Sequence, residues 1–476
     1  MKRKRLILFS LLLILLIPVV SLAQASLKWE NISCGPEFNL AIRSDGTLWA
    51  WGFNGNGQLG TGDNKKYLEP ERIGNDTTWR CISAGAFHSL AIKDDGTLWS
   101  WGLNAYGQLG LDDQNDRNQP VQVGSDTTWQ SVSAGYAHSL AIKSDGTLWS
   151  WGYNYAGALG IDSTTDMHYP VQVGTDQNWK QVSAGGLHSL AIKEDNTLWG
   201  FGYNGNGQLG NSTTSSNTVP GKIGIDTNWQ EVEAGFEFSL ALKTDSSLYS
   251  WGFNGNGQLG NGTTSESHQP GQIGTLHSWT SFSAGSTFGL AIAADSALYA
   301  WGANPYGNLG TGDNVNYNSP EPVKTSKDWI LIEASGGFIQ QNMLFGFHTM
   351  GLKKDSLVIC ATGANYTGQM GDGTMTQRNT FDCNTGILNT SVDEPEKSQG
   401  VSLYPNPGDG NLTIDMPQEF SESTIIQVFN TDGKMIYNSV KAESQIKLNL
   451  SQQPPGLYLI RMQNNDKQIM KKVIIR

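Results

Sequence analysis

Seven tryptophans, Trp29, Trp79, Trp129, Trp179, Trp229, Trp279 and Trp329, stand fifty residues apart. A period of that length commits a chain to a repeat architecture before any single residue is weighed. A glycine keeps the same step at Gly52, Gly102, Gly152, Gly202, Gly252 and Gly302, and the seventh, Gly363, arrives eleven residues late. One copy, Trp79 to Thr128, holds four short alternating segments, CISAG, HSLAIK, TLWSWG and PVQVG, separated by turn residues that include an Asp-Gly pair. Alternation with tight turns predicts a four-stranded antiparallel sheet in each copy. One such sheet cannot cover both of its faces, but several stacked around an axis can. The expected fold is therefore all-β: a seven-bladed β-propeller, here over residues 26–386.

The repeat also disarms the motifs that first attract the eye. GNGQLG at 55–60, repeated at 205–210 and 255–260, has the GxGxxG spacing of a dinucleotide site. Its first glycine is replaced in sister copies by Ala105, Tyr155, Pro305 and Tyr366, while the glycine two positions later persists from Gly57 to Gly368. A pyrophosphate cradle needs a helix to follow, and here a polar loop and a strand follow, so the motif is a turn. His88, His138, His188 and His348 share a slot with Phe38, Phe238 and Phe288, so the ring is wanted for its shape. The aspartates of the Asp45 series recur in every copy before Gly, Asn or Ser and read as hairpin residues. All sixteen tryptophans fall on three frame positions, which assigns them to blade packing. DDQND at 112–116 lacks the Gly and distant Glu of a calcium hand. No HExxH, P-loop or C-x-x-C is present. No catalytic residue, cofactor or metal is expected.

The pattern SAGxxHSLAIKxDGTLWSWGxNxxGQLG resembles the repeat of the regulator of chromosome condensation family, over residues 29 to about 386. The resemblance implies seven blades and a ring closed by joining strands from the two ends. It also implies function by binding: a secreted bacterial relative holds an enzyme against one face of the ring, and the eukaryotic namesake acts on a small GTPase and on chromatin.

What repeats builds the ring, so specificity is expected where the copies differ. The first and third turns of each blade share one face, and that face collects the variable residues. Phe87, Tyr136, Leu187 and Phe236 follow the Ala-Gly pair, and Tyr106, Tyr155, Tyr306 and Tyr366 lie around the GQLG turn. In the seventh copy the first turn is extended by ten residues, within GGFIQQNMLFGF at 336–347, with Phe338, Met343, Phe345 and Phe347. Aromatic residues on loops of a rigid scaffold carry interface energy, so this face is the candidate surface for a protein or glycan. The competing expectations are a carbohydrate-active or hydrolytic enzyme, marked by two carboxylates of single blades meeting in the central opening, and guanine-nucleotide exchange.

The charge narrows the partner. Outside residues 1–25 and the segment after 400, 19 basic side chains face 36 acidic ones, a net of −17. Such a body repels polyphosphate, so nucleic acid is not an expected partner. The start, Lys2 to Arg5, an apolar run from Leu6 to Val20 and then Ala23-Gln24-Ala25, reads as a signal peptide over 1–25, cut after Ala23 or Ala25, with no membrane span in the mature chain. Export permits disulfides, and Cys360 and Cys383, which share the last copy, are the first choice among the four cysteines.

Residues 387–400, polar and acidic, read as a linker. Residues 401–476 show alternating segments with turns at PGDG, TDGK and QQPPG, which predict a small Ig-like β-sandwich of about seven strands. This segment resembles the C-terminal sorting domain of the Bacteroidetes type IX secretion system, through Tyr404-Pro405-Asn406-Pro407 at its entry, Gly456 and Tyr458 late, and a basic end at Lys471 and Lys472. The resemblance implies passage through the periplasm to the surface or medium, with the type IX machinery as partner.

Overall fold

The computed structural model describes residues 27–275, 278–336, 338–340, 343–354, 357–385, 402–404, 410–416, 424–430, 435–443, 445–454, 456–463 and 468–475. They fall in two compact units divided near residue 388. Residues 1–26, Pro405 to Pro407 and the linker at 387–400 lie outside the described residues.

The first unit is a seven-bladed propeller in which each blade is an antiparallel sheet of four strands. In blade 2 these are Trp79–Ala84, His88–Lys93, Leu98–Gly102 and Arg117–Gln122. The fourth strand starts three residues before the expected PVQVG. Gly102 pairs with Arg117 across a bulge, so polar residues enter the ladder at the blade's outer edge, where no alternation of burial marks them. The second strand is buried along its whole length, and the first strands of neighbouring blades adjoin around the axis.

The cores lie between blades. Phe38, Leu40, Ile42 and Leu48 of blade 1 pack on Trp79, Ile82 and Trp101 of blade 2, and each later pair of neighbours repeats this arrangement. Fifty residues are thus the unit of sequence but not of stability, because each apolar face is covered only by the next copy.

Ring closure departs from the family expectation. Each four-stranded sheet comes from one continuous stretch of chain, so among the described residues no strand of one end enters the other end's blade. Closure is instead by packing. Trp29, Ile32 and Trp51 share a core with Met350, Leu352 and Ile359, and Trp51 Nε1 and Asn39 Nδ2 both donate to the Gln369 carbonyl, at 3.0 and 2.8 Å. In blade 7 the sheet order skips a hairpin, Phe338–Gln340 with Met343–Phe345, inserted in the first turn. Cys360 and Cys383 are joined by a disulfide within that blade. Cys34 and Cys81 are free.

The Ala-Gly pair explains itself at the inner rim. Ala86 N donates to Gly135 O of the next blade at 3.1 Å, and Tyr136 N to Gly185 O. A Cβ on Gly135 would stand 2.6 Å from Gly185 O and from the His138 ring. Gly135→Ala is expected to destabilise the ring by about 1–3 kcal/mol, read as a lower urea midpoint. Gly336→Ala, with no atom of the described residues within 4 Å of the new methyl, should leave the midpoint in place.

The second unit is a sandwich of seven described strands. Ser402–Tyr404, Asn411–Asp415 and Gln445–Asn449 form one antiparallel sheet, and Met435–Lys441, Thr424–Asn430, Gly456–Gln463 and Gln468–Ile475 form the other. Ile414, Ile426, Ile446, Ile460 and Val473 make its core. Among the described residues no helix is long and apolar enough to cross a membrane.

Candidate functional site

The repeated polar residues are engaged with one another. Asp95 Oδ1 accepts from Thr97 Oγ1 at 2.7 Å, and that hydroxyl accepts from Trp99 Nε1 at 2.9 Å. Thr97's hydroxyl and amide hold the Asp95 carboxyl below its usual range. Lys93 Nζ lies 3.8 Å from the Trp99 ring centre and 2.7 Å from Asp76 Oδ2, and Lys143, Lys193 and Lys243 repeat the pairing with Asp126, Asp176 and Asp226. These lysines are nearly buried, and a cation there is offset by a carboxylate and two aromatic faces. The whole layer belongs to the face of the second and fourth turns.

The histidines are latches between blades. His88 Nε2 is 3.0 Å from Ser139 Oγ, whose hydroxyl donates to Gln108 O at 2.8 Å. His138 meets Ser189, His188 meets Ser239, and His348 meets Asn39 across the closure. Burial keeps them neutral, with pKa lowered to about 3 at His88, His188 and His348 and about 4 at His138. The GNGQLG turn is likewise structural. Gly57 takes φ +78°, Leu59 N donates to Asn54 Oδ1 at 2.9 Å, and a Cβ on Gly57 would meet the Asn118 Cα of the next blade at 2.6 Å.

The opposite face is held rigidly but varies in its side chains. Tyr153 N donates to Ala137 O at 2.8 Å and Tyr203 N to Leu187 O at 2.9 Å, so each third turn is fixed to the first turn of its own blade. Asp112 N to His168 O and Asp162 N to Thr218 O fix it to the next blade. On this scaffold Tyr106, Tyr153, Tyr155 and Tyr203 form a continuous strip across blades 2 to 4, with ring centres 4.5, 6.2 and 6.2 Å apart in turn. Tyr106 and Tyr155 are 37% and 50% exposed. Tyr136 and Phe236 meet edge to face at 6.4 Å across Gly186 on the rim of the central opening. Burial, with Tyr106 nearby, raises the Tyr136 phenol.

The remaining candidate residues divide. Phe87 and Leu187 are half-buried. Tyr306 stands against Tyr366 at 5.6 Å as a second aromatic group on blades 6 and 7. Phe338, Met343 and Phe345 lie on the inserted hairpin. Phe347 is withdrawn from the surface: it is 3% exposed, packed in the core between blades 6 and 7 with Tyr306 over it at 5.5 Å. Its chain position in an extended turn suggested exposure, but it fills the slot before His348 as the turn re-enters the sheet.

Two groups escaped the sequence reading. Tyr153 and Tyr203 occupy the position after the glycine of the Gly52 series, which holds Phe53, Leu103, Phe253, Ala303 and Ala364 elsewhere. That variation was the available signal. Below the rim, Ser33, Ser83, Ser133, Ser183 and Ser283 each accept the amide N–H of the next blade's Ala. Glu233 and Glu333 replace serine at that level, and Glu233 Oε2 accepts from Ala284 N at 2.7 Å. Burial, with Glu231 beside it, pushes Glu233 up to about 8. Burial and the nearby Glu233 raise Glu333 well above the carboxylate range. Among the described residues no group of three His, Cys, Asp or Glu side chains is arranged to hold a metal ion.

In the sorting unit, Tyr458 is buried and its Oη donates to Pro454 O at 2.7 Å, while Tyr404 is exposed with its Oη on Asp415 Oδ2 at 2.8 Å. Gly456 opens the strand that pairs with Gln468–Ile475, on which Lys471 and Lys472 lie.

Seven blades of this kind define a repeat propeller. The RCC1-like domain matches residues 16–224, and regulator of chromosome condensation (RCC1) repeats match 229–258, 245–292 and 295–339. The secretion system C-terminal sorting domain matches residues 402–476. The fold is similar to human WBSCR16 (24% identity, TM-score 0.59, covering 65% of this chain and 85% of that one). It is also similar to yeast RCC1 (Prp20) in its complex with Kap60 (22%, 0.58, 69% and 82%) and to Prp20p from Saccharomyces cerevisiae (18%, 0.63, 79% and 90%). The chain is a propeller of RCC1-like repeats. It ends in a type IX sorting domain, which directs it to the cell surface or the extracellular space.

Proposed function

We propose that this is a non-enzymatic binding protein, exported with the help of a signal peptide at 1–25, whose propeller offers one variable face to a protein or glycan at the cell surface, as an adhesin or an inhibitor does. One observation carries the reading. Aromatic side chains that change from copy to copy gather on the face of the first and third turns, whereas the repeated Asp, Lys, His and Trp are engaged with one another and with neighbouring blades. The fold neighbour Prp20, bound to Kap60, is a propeller of this type that takes a protein partner. Phe87→Ala, Tyr136→Ala and Phe236→Ala together are expected to abolish capture of a surface partner isolated with the wild-type chain, since each true anchor is worth about 2 kcal/mol or more. Undiminished capture by a folded triple variant would remove this face from the reading.

The enzymatic alternative has one observation in its favour, because Glu233 of blade 5 and Glu333 of blade 7 both stand at the level of the central opening. Hydrolysis by a carboxylate pair needs one ionised partner at working pH. Both groups are pushed toward the protonated form, and Glu233 Oε2 is already used as an acceptor by the next blade. Glycosidase turnover that disappeared in Glu333→Ser would reverse the preference. Exchange on a cytoplasmic GTPase sits poorly with a chain sorted outward.

A further inference from the structure

The tyrosine strip is bordered by carboxylates. Asp112 and Asp116 are exposed in the third turn of blade 2 and Asp162 in that of blade 3. Asp166 lies close enough to the Tyr153 phenol to raise it, after burial and Tyr106, and Glu237 stands half-buried in the first turn of blade 5. Opposing charge is scarce. The first turns of blades 2 to 5 and the third turns of blades 2 to 4 contain no lysine or arginine, and Arg117 at their edge is held by Asp113 Oδ2 at 2.6 Å. The lysines of these blades' second strands sit on the other face, each tied to its aspartate.

Resting on the binding reading above, we infer that the strip takes a cationic stretch of a partner protein, one that lays arginine or lysine side chains across Tyr106, Tyr153, Tyr155 and Tyr203. A guanidinium suits both halves of the surface. Its plane stacks on a phenol ring, its edge donates to carboxylates, and it is weakly hydrated. A neutral sugar would use the rings and draw nothing from the negative charge of Asp112, Asp116 and Asp162, of which Asp116 Oδ1 accepts from Asn104 N at 2.8 Å and Asp162 Oδ1 from Thr218 Oγ1 at 3.3 Å. An anionic glycan would be repelled by the same three groups. Around exposed rings, negative charge also speeds the encounter with a basic partner.

The test uses the full chain and octa-arginine as probe, with cellohexaose and octa-glutamate alongside, titrated calorimetrically at low and physiological salt. Octa-arginine is expected to bind, and the Tyr106→Ala, Tyr155→Ala double variant, whose charge is unchanged, to bind about tenfold more weakly. Asp112→Asn with Asp162→Asn should weaken it similarly and flatten the salt dependence. Tryptophan fluorescence on unfolding establishes that both variants are folded. Octa-arginine affinity untouched by the tyrosine variant would show general attraction to an acidic body and overturn the inference. Cellohexaose binding that vanished in that variant, with octa-arginine indifferent to it, would also overturn it while leaving the face as the binding site. Loss of partner capture on changing Phe87, Tyr136 and Phe236, without competition by octa-arginine, would again sink only the cationic partner.

Discussion

Lowering the pH from 7 to 5 is expected to weaken the propeller through its four buried histidines. His88, His138, His188 and His348 titrate near 6.5 when unfolded but only at about 3 or about 4 in the fold. Between those limits the unfolded chain binds more protons than the native one. Stability is therefore fully present above about 6.5 and falls with pH, by about 1.4 kcal/mol per unit for each ring. Four rings together lose about 8 kcal/mol by pH 5, a sum comparable with the whole stability of an ordinary domain. Glu233 and Glu333 act in the opposite sense. Their carboxyls are raised, so their contribution is present below about 4.5 and is lost as pH rises. Acidification from 7 thus relieves the glutamates while it penalises the histidines, and the decline steepens once the carboxyls are protonated in both states. All sixteen tryptophans lie at or before Trp329, so their fluorescence reports the propeller alone. In urea unfolding followed this way, His188→Phe should shed about 1.4 kcal/mol per unit from the slope between pH 6.5 and 4.5. Glu333→Ser should raise stability at pH 7 and steepen the acid loss. Phe already occupies that slot at Phe38, which is fully buried and stands the same fifty-one residues before a buried serine, Ser89, as His88 does before Ser139. Parallel profiles for wild type and both variants would contradict the account.

The periodicity made the blades legible because each copy tests the others. A histidine exchanged for phenylalanine in three copies, or a GxGxxG whose first glycine turns into tyrosine, loses its apparent chemistry without any structure. What stayed hidden were relations across the repeat. That Asp76 holds Lys93 seventeen residues on, or that Ser139 receives His88 from the previous blade, follows from stacking geometry rather than from spacing within a copy. Glu233 and Glu333 stood out only once five serines at the same level were seen to cap the neighbouring blade. The tyrosine strip joins residues from three frame positions and three blades, and Tyr153 and Tyr203 were invisible while each position was considered alone. Closure was misjudged for a related reason: a blade complete in its own four strands needs only a packed neighbour, and the core of Trp29, Trp51, Met350 and Ile359 supplies it.

Removing residues 401–476 is expected to stop release of the propeller in a host with type IX secretion, so that it accumulates in the periplasm with its fold intact. The two units are built independently. The sorting unit has its own core of Leu412, Ile414, Ile426, Ile460 and Val473, and every inter-blade core is complete without it. Deletion therefore removes an address and leaves the ring. The reciprocal experiment is the stricter one. Residues 387–476 fused to a periplasmic reporter should carry it to the surface or medium. Tyr458→Ala in that fusion should reduce export, because the ring fills the sandwich core and its Oη pins Pro454 O, and such truncations cost about 3–5 kcal/mol. Tyr458→Phe, which keeps the packing and gives up one hydrogen bond worth about 1 kcal/mol, should export nearly as well. A propeller still released without residues 401–476, or a reporter left in the periplasm with them, would show that the route is set by some other part of the chain.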